Sequence, residues 1–164
     1  MLILISGKSG SGKSTIANYL CKRGFIAYAL ADKLKLITAK ILKIEKVDDS
    51  NKSELRDTLQ YFGTECFRSV FGNDFWCEQL KIDDPNLSNI IISDIRYENE
   101  RTYFRQKYSN VISVGVYRND SNNYNHSSEE GLSNFDIEIQ NNDSLESLYS
   151  VIERTIISKC TRAF

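Results

Sequence analysis

The sequence has little of what several classes of protein require. Its 164 residues contain one histidine and four cysteines, and no two of the cysteines form a C-x-x-C pair. We therefore expect no zinc or histidine metal site, and cysteines of this kind favour a reducing compartment such as the cytoplasm. The formal net charge of −1 argues against the large basic surface that nucleic-acid binding requires.

Long apolar runs are also absent. No stretch approaches the ~20 apolar residues of a membrane-spanning helix. The apolar start of the chain is short and lacks the basic flank of a signal peptide. We expect a single domain over residues 1–164 that does not associate with a membrane, because a chain of this length supports one buried core.

A glycine-rich loop follows the first apolar residues. Gly7, four further residues and then Gly12, Lys13 and Ser14 form the phosphate-loop pattern G-x-x-x-x-G-K-[ST]. Backbone N–H groups of such a loop, together with the positive end of the next helix, hold anionic oxygens. In this pattern the lysine reaches the β- and γ-phosphates of ATP and the Ser14 hydroxyl binds Mg²⁺. The residues expected to bind ATP are Gly7, Ser9, Gly10, Ser11, Gly12, Lys13, Ser14 and Thr15.

Apolar, β-branched segments alternate with segments of helical periodicity along the chain. The expected strands are residues 1–5, 25–30, 89–94, 110–117 and 136–139, and the longer expected helices are 31–44, 53–71, 97–108 and 144–157. Strands that alternate with helices imply right-handed crossovers and a parallel sheet. We predict a three-layer α/β/α fold with about five mostly parallel strands. The strand before the glycine loop and the helix after it favour a phosphate site over a turn without a ligand.

Charged residues follow two of the predicted strands, at the edge where parallel sheets bind ligands. Asp94 ends the run "IIISD" and is expected to order the Mg²⁺ shell, with a helix N-cap as the alternative. Arg96 and Arg118 also follow strand ends, and their guanidinium groups can bind phosphate in a planar fork. With Lys13, they are the expected catalytic residues.

Two further segments carry polar groups that suit a substrate. Arg56 and Gln60 lie four residues apart on a predicted helix, so they share a face that suits a phosphate and a base edge, or simply solvent. The polar segment from about 118 to 133 leaves the end of a strand, and we expect it to be a lid that closes over ATP. His126 and Glu129 would face one another within that lid.

The motifs, taken in order, resemble those of the deoxynucleoside monophosphate kinases of large DNA bacteriophages, a branch of the phosphate-loop kinases. Arg-x-x-x-Gln, Asp-x-Arg-x-x-x-Glu and His-x-Ser-Glu in this order are more specific than the glycine loop alone. The matching segments span nearly the whole chain: "GKSGSGKST", "ALADKLK", "RDTLQYFGTECFR", "DFW", "IISDIRYENE", "VGVYR", "HSSEEGL" and "IEIQNNDSLESL".

The resemblance implies transfer of the γ-phosphoryl group of ATP to a deoxynucleoside monophosphate, with Mg²⁺, in the cytoplasm of the producing or infected cell. It implies acceptor-binding helices at about 45–85 and a lid at about 118–133. The substrate-binding residues it implies are Asp32, Lys33, Arg56, Gln60, Arg68, Trp76, His126 and Glu129. Kinases of other phosphorylated small molecules, such as phosphomevalonate or dephospho-coenzyme A, and a non-catalytic nucleotide-binding module remain alternatives. The oligomeric state, with a homodimer as one candidate, stays open.

Overall fold

The computed structural model describes residues 1–82, 89–119 and 132–161. The chain forms two compact units, one of Met1–Tyr28 with Asn86–Phe164 and the other of Ala29–Pro85. The expected acceptor-binding region at 45–85 lies inside the second unit. Within the described ranges, no helix combines the length and the apolar character that crossing a bilayer demands.

A five-stranded parallel sheet forms the centre of the first unit. Its strands are β1 (Leu2–Ser6), β2 (Ile26–Tyr28), β3 (Ile90–Ile92), β4 (Val111–Tyr117) and β5 (Ile137–Gln140). They follow the order β2-β3-β1-β4-β5, and every pairing is parallel. Both β1 and β3 are buried along their whole length, as expected for apolar strands that are covered on both faces. The predicted parallel sheet is confirmed.

Six helices are described, and two of them contain a π-helical stretch. In chain order they are α1 (Lys13–Cys21), α2 (Ala31–Leu42), α3 (Arg56–Gln60, π-helical Tyr61–Arg68, Ser69–Phe71), α4 (Phe75–Gln79), α5 (Glu98–Lys107) and α6 (Leu145–Ile152, π-helical Glu153–Ile157, Ser158–Thr161). The predicted helices are confirmed, with ends displaced by a few residues. Ser144 caps α6, because its hydroxyl accepts the Ser147 N–H at 3.3 Å.

Helices cover both faces of the sheet. Ile3 and Ile5 of β1 belong to one core cluster with residues of α1 and α6, including Ile16 and Ile152. Ser113 of β4 pairs with Leu4 and so faces the other side of the sheet, where its hydroxyl accepts a hydrogen bond from Arg105 of α5 at 3.1 Å. Crossovers that run in opposite directions along the sheet place their helices on opposite faces. The three-layer architecture is therefore confirmed.

A carboxylate anchors the start of the edge strand β5 to β4. Asp136 accepts hydrogen bonds of 2.7 Å from the backbone N–H and the hydroxyl of Ser113, and one of 2.7 Å from Arg105. Burial alone would raise the pKa of Asp136, but the hydrogen bonds from Ser113 and Arg105 outweigh burial and hold that pKa below its usual value. These contacts hold β5 in a fixed register beside β4.

An aromatic and ionic cluster joins α6 to α1. The rings of Tyr19 and Tyr149 stack with their centroids 4.2 Å apart. The Tyr19 hydroxyl donates to Glu153 at 2.7 Å, and that hydrogen bond raises the pKa of Tyr19. Arg23 forms an ion pair with Glu153 and lies over the Tyr19 ring. We call these four residues the α1–α6 clamp.

The second unit has its own aromatic centre. Trp76 is 3% exposed, and its indole N–H donates to the Gly63 carbonyl at 2.9 Å. The Trp76 ring contacts Phe67 and Phe75 at centroid distances of 5.1 and 4.9 Å. Gly72, with φ of 101°, ends α3 as its sequence position predicts.

Gly115 of β4 provides a test of the packing in the first unit. A Cβ at this position would lie 2.4 Å from Cδ2 of Phe135, so the ring would have to move. We expect Gly115→Ala to lower the free energy of unfolding by about 1–3 kcal/mol, the usual cost of overpacking, as measured by urea denaturation.

The control is the same substitution in a Phe135→Ala background, which removes the ring atoms that the new Cβ would meet. There the clash is relieved, so the additional cost of Gly115→Ala should be smaller. An equal cost in both backgrounds would show that the Phe135 ring is not the obstacle.

Candidate nucleotide-binding site

The loop between β1 and α1 lies against the ends of β4 and β5. A Cβ on Gly7 would be 2.3 Å from the Val116 carbonyl oxygen. Gly12 has φ of +106°, and a Cβ there would be 2.3 Å from Nδ2 of Asn141. Both glycines of the phosphate-loop pattern are therefore required by close approach of the backbone to its neighbours.

The open end of α1 faces this loop. Among the described residues, no side chain caps α1 and its first turn carries no acidic residue. The first helical hydrogen bond runs from the Ile16 N–H to the Gly12 carbonyl at 3.1 Å. The N–H groups that precede it have no partner within the helix, and no carboxylate of its own first turn offsets the positive end of the helix dipole. This end of the helix is suited to bind an anion.

The Lys13 ammonium bends back over the loop. Its Nζ donates to the carbonyl oxygens of Gly7 at 2.6 Å and Lys8 at 2.7 Å. The positive charge therefore lies within the loop, where phosphate oxygens can replace these carbonyls as hydrogen-bond acceptors.

A cavity of about 420 Å³ adjoins the loop. One side consists of Gly10 and residues 12–15, and the other includes Arg118, Asn141, Asp143 and Leu145. The volume is within the range typical of small-molecule pockets, and its mixture of apolar and polar groups is typical of them too. The structure thus brings Arg118 together with the loop, as the strand-end argument predicts.

Asn141 and Asp143 are pocket residues that the sequence analysis did not single out. They follow β5 directly, so their position just beyond the end of a parallel strand could have identified them. The segment "IEIQNND" was noted only as part of a resemblance. Leu145 is 47% exposed although it is apolar, and it gives the pocket a hydrophobic wall.

Asp94 lies at the edge of the sheet next to the loop. β3 pairs with β1 in register Leu4 to Ile92, and the Ile95 N–H donates to the Ile5 carbonyl at 3.1 Å. The N-cap of α5 is Tyr97, three residues beyond Asp94, so the alternative interpretation of Asp94 as a helix N-cap is wrong. A carboxylate at this edge and the Ser14 hydroxyl in the loop are hard oxygen donors of the kind Mg²⁺ prefers.

Glu100 fixes the chain that carries Asp94 and Arg96. Its carboxylate is 1% exposed and accepts the backbone N–H groups of Arg96 at 2.7 Å and Tyr97 at 3.1 Å. Glu100 belongs to the Asp-x-Arg-x-x-x-Glu motif, and the motif alone does not indicate this role. The spacing resembles a capping box, but the signal is weak because Tyr97 is not a typical N-cap residue.

The remaining predicted substrate residues that the structure describes belong to the second unit. Arg56 and Gln60 are half-buried, one turn apart on α3. Arg68 donates to the Asn73 carbonyl at 2.7 Å, and Asp32 forms an ion pair with Lys35 at 3.0 Å, while Lys33 is exposed. Trp76 lies in the aromatic centre, with almost no surface for a ligand. Their roles toward a substrate stay predictions.

Most of the expected lid lies outside the described residues, and so do His126 and Glu129. At the described end of this segment, the guanidinium of Arg101 donates to the Ser133 carbonyl at 2.8 Å and the Asn134 carbonyl at 3.1 Å. Arg101 is 6% exposed, so a buried, charge-assisted contact holds the backbone at Ser133 and Asn134. The lid itself stays a prediction.

Comparison with known proteins finds a family and some similar solved structures. Among solved structures, a mutant of the Mycobacterium tuberculosis APS kinase CysC is 16% identical, with 95% of this chain and 96% of that chain covered and a TM-score of 0.46. An unliganded sugar kinase from Janibacter sp. HTCC2649 is 17% identical, with 95% and 94% covered and a TM-score of 0.49. No curated protein matches the chain.

The family is shown by the sequence itself. The sequence model of the deoxynucleotide monophosphate kinases matches residues 36–152 of the 164. The matched region contains Arg56, Gln60, Asp94, Arg96 and Arg118, and the phosphate loop precedes it. The resemblance to deoxynucleoside monophosphate kinases inferred from the motifs is confirmed. The chain belongs to the deoxynucleotide monophosphate kinase family and is a phosphotransferase.

Proposed function

We propose that this protein transfers the γ-phosphoryl group of ATP to a deoxynucleoside monophosphate. The observation that carries this proposal is a complete phosphate loop that opens into a cavity of about 420 Å³ in a member of this kinase family. A phosphate loop alone would bind many ligands, but the family narrows the reaction to phosphorylation of a nucleotide.

The donor nucleotide fits the loop and the adjoining cavity. The triphosphate binds the first-turn N–H groups of α1 and the Lys13 ammonium, while the nucleoside part occupies the space between Arg118 and Leu145. Leu145 supplies apolar surface to the base, and Asp143 supplies a polar group. This combination is typical of cofactor pockets, where a few polar groups orient a largely apolar contact.

The oxygen donors of Ser14 and Asp94 would hold Mg²⁺ beside the phosphates. When bound there, the ion neutralises charge on the β- and γ-phosphates. Glu100 supports this arrangement from a distance, because its two hydrogen bonds fix the segment that follows Asp94.

The protein contributes mainly position and charge to the reaction. A monophosphate oxygen is already a nucleophile, so transfer to it depends on alignment and on stabilising the charge of the moving phosphoryl group. Lys13, Arg96 and Arg118 carry that charge stabilisation in our proposal. A lid over residues 118–133 would exclude water, which otherwise competes with the acceptor.

Arg56 and Gln60 are the proposed acceptor residues. The guanidinium suits the acceptor phosphate, and the carboxamide suits the edge of a base. Phosphomevalonate has no base, so a kinase for that kind of substrate would have no use for Gln60 in this role. A dependence of the acceptor KM on the base therefore favours a nucleotide acceptor.

The proposal is tested by a coupled assay with ATP and each of the four deoxynucleoside monophosphates. We expect turnover with at least one of them, and we expect Lys13→Ala to lower kcat by several orders of magnitude, on the scale usual for charge-stabilising groups in phosphoryl transfer. Lys22→Ala is the control, because it removes an exposed lysine from the other end of the same helix.

Turnover by wild type with none of the four acceptors would remove the proposed function. Near-normal turnover by Lys13→Ala would remove Lys13 from the mechanism. Circular dichroism of each variant should be unchanged.

Arg56→Ala tests the acceptor site. If the guanidinium binds the acceptor phosphate equally in the ground and transition states, this variant raises the KM for the monophosphate at least tenfold and leaves the KM for ATP nearly unchanged. Arg154→Ala, which removes an exposed arginine of α6, should change neither value. If both KM values of Arg56→Ala match wild type, this face of α3 is merely solvated.

Asp94→Asn tests the metal-binding role. The amide is a weaker ligand than the carboxylate, so the variant should need a higher Mg²⁺ concentration for half-maximal rate and should reach a lower kcat. A Mg²⁺ titration of the rate measures both effects. Asp49→Asn removes an exposed carboxylate elsewhere and should follow the wild-type titration. A superimposable curve for Asp94→Asn would exclude Asp94 from the metal site.

A further inference from the structure

We propose that Asn141 is a positioning residue that holds the phosphate loop in its binding shape from the end of β5. The inference concerns how the loop binds a triphosphate, and its use in catalysis rests on the function proposed above. Asn141 lies 130 residues from the loop residue that it contacts, so no local pattern in the sequence indicates this role.

The backbone of Asn141 is fixed by the sheet. Its N–H donates to the Tyr117 carbonyl at 2.8 Å, one residue beyond the pairing of Tyr117 with Gln140. The hydrogen bonding between β4 and β5 therefore extends to Asn141, and the side chain starts from a well-defined position.

The Asn141 side chain reaches the loop. Its Nδ2 donates to the Ser11 carbonyl at 2.8 Å. The orientation of the amide follows from chemistry, because a carbonyl oxygen only accepts and the NH₂ group only donates. Ser11 is 1% exposed, so water has little access to this region if the amide is removed.

This hydrogen bond fixes the direction of one N–H group of the loop. In a trans peptide, the carbonyl of one residue and the N–H of the next point in opposite directions. By holding the Ser11 carbonyl, Asn141 sets the direction of the Gly12 N–H, and Gly12 lines the cavity. The glycine has φ of +106° and is free to rotate in ways closed to other residues, so the peptide before it requires an external restraint.

The contact is too close to be incidental. A Cβ on Gly12 would lie 2.3 Å from Nδ2 of Asn141 and 3.4 Å from its Cγ, which means that the amide occupies the space beside the glycine. On the other side, the Ser11 N–H donates to the Lys8 carbonyl at 3.2 Å. The Ser11 residue is held from within the loop by Lys8 and from outside it by Asn141.

The test compares binding of inorganic tripolyphosphate, ATP and adenosine by calorimetry, using the full chain. Tripolyphosphate probes the loop alone, and adenosine probes the nucleoside pocket alone. In Asn141→Ala we expect both tripolyphosphate and ATP to bind about tenfold more weakly, on the scale of a buried carbonyl that loses its donor. Adenosine binding should stay within about twofold of wild type, and thermal denaturation should show a folded protein.

A charge-matched pair of variants provides the control. Asn141→Asp keeps the shape but replaces the donor with an acceptor, so it should weaken tripolyphosphate binding at least as much as alanine. Asn142→Asp adds the same charge one residue away. It keeps an oxygen for the Asn119 N–H, which Asn142 accepts at 2.9 Å, and it should bind tripolyphosphate like wild type.

Each result decides the question. Unchanged tripolyphosphate binding in Asn141→Ala, or a loss that affects ATP but not tripolyphosphate, would overturn the proposal and make Asn141 a nucleoside contact at most. Equal losses in the two aspartate variants would assign the effect to charge. If Asn141→Ala does not fold, Asn141→Asp carries the test, and failure of both to fold would make Asn141 a folding residue instead. A wild-type protein that binds ATP but phosphorylates no deoxynucleoside monophosphate would remove the proposed function and leave this inference standing.

Discussion

The site depends on one close approach, that of the phosphate-loop backbone to the ends of β4 and β5. Gly7 lies against the Val116 carbonyl and Gly12 against the Asn141 amide. Since neither position has room for a side chain, the backbone of the loop packs directly against the ends of both strands. Arg118 follows the end of β4, and Asp143 follows the end of β5. The contact between the loop and these strand ends therefore positions both residues at the cavity.

The general architecture could be predicted because its signals are local. β1 and β3 are uninterrupted apolar runs, and such runs indicate strands buried on both faces. Gly72 marks the end of α3, and Ser144 marks the start of α6. The helix expected from Ser53 begins instead at Arg56, because Ser53 lies in a turn that precedes it. Such shifts of a few residues are usual when no strong cap fixes the boundary.

The parts of the site that could not be predicted depend on contacts between distant segments. The order of the strands is set by the direction of each crossover, which the hydrophobic pattern does not contain. Asn141 meets the loop only after the sheet has formed, and Glu100 is recognisable as a backbone anchor only once the turn after β3 is known. The burial of Trp76 could not be predicted either, because an aromatic residue near a substrate and one in a core have the same sequence pattern. The π-helical stretches of α3 and α6 give no periodic signal that separates them from α-helix.

The α1–α6 clamp links the nucleotide site to the packing of α6 against α1. One end of α1 bears the phosphate loop, and its other end bears Tyr19 and Arg23, which bind Tyr149 and Glu153 of α6. The first turns of both helices line the same cavity. A nucleotide that contacts both therefore adds its binding free energy to the interactions that resist detachment of α6, since any opening of that helix dismantles a wall of the site. Local opening of α6 and binding of nucleotide at the phosphate loop are therefore thermodynamically linked, so each one opposes the other.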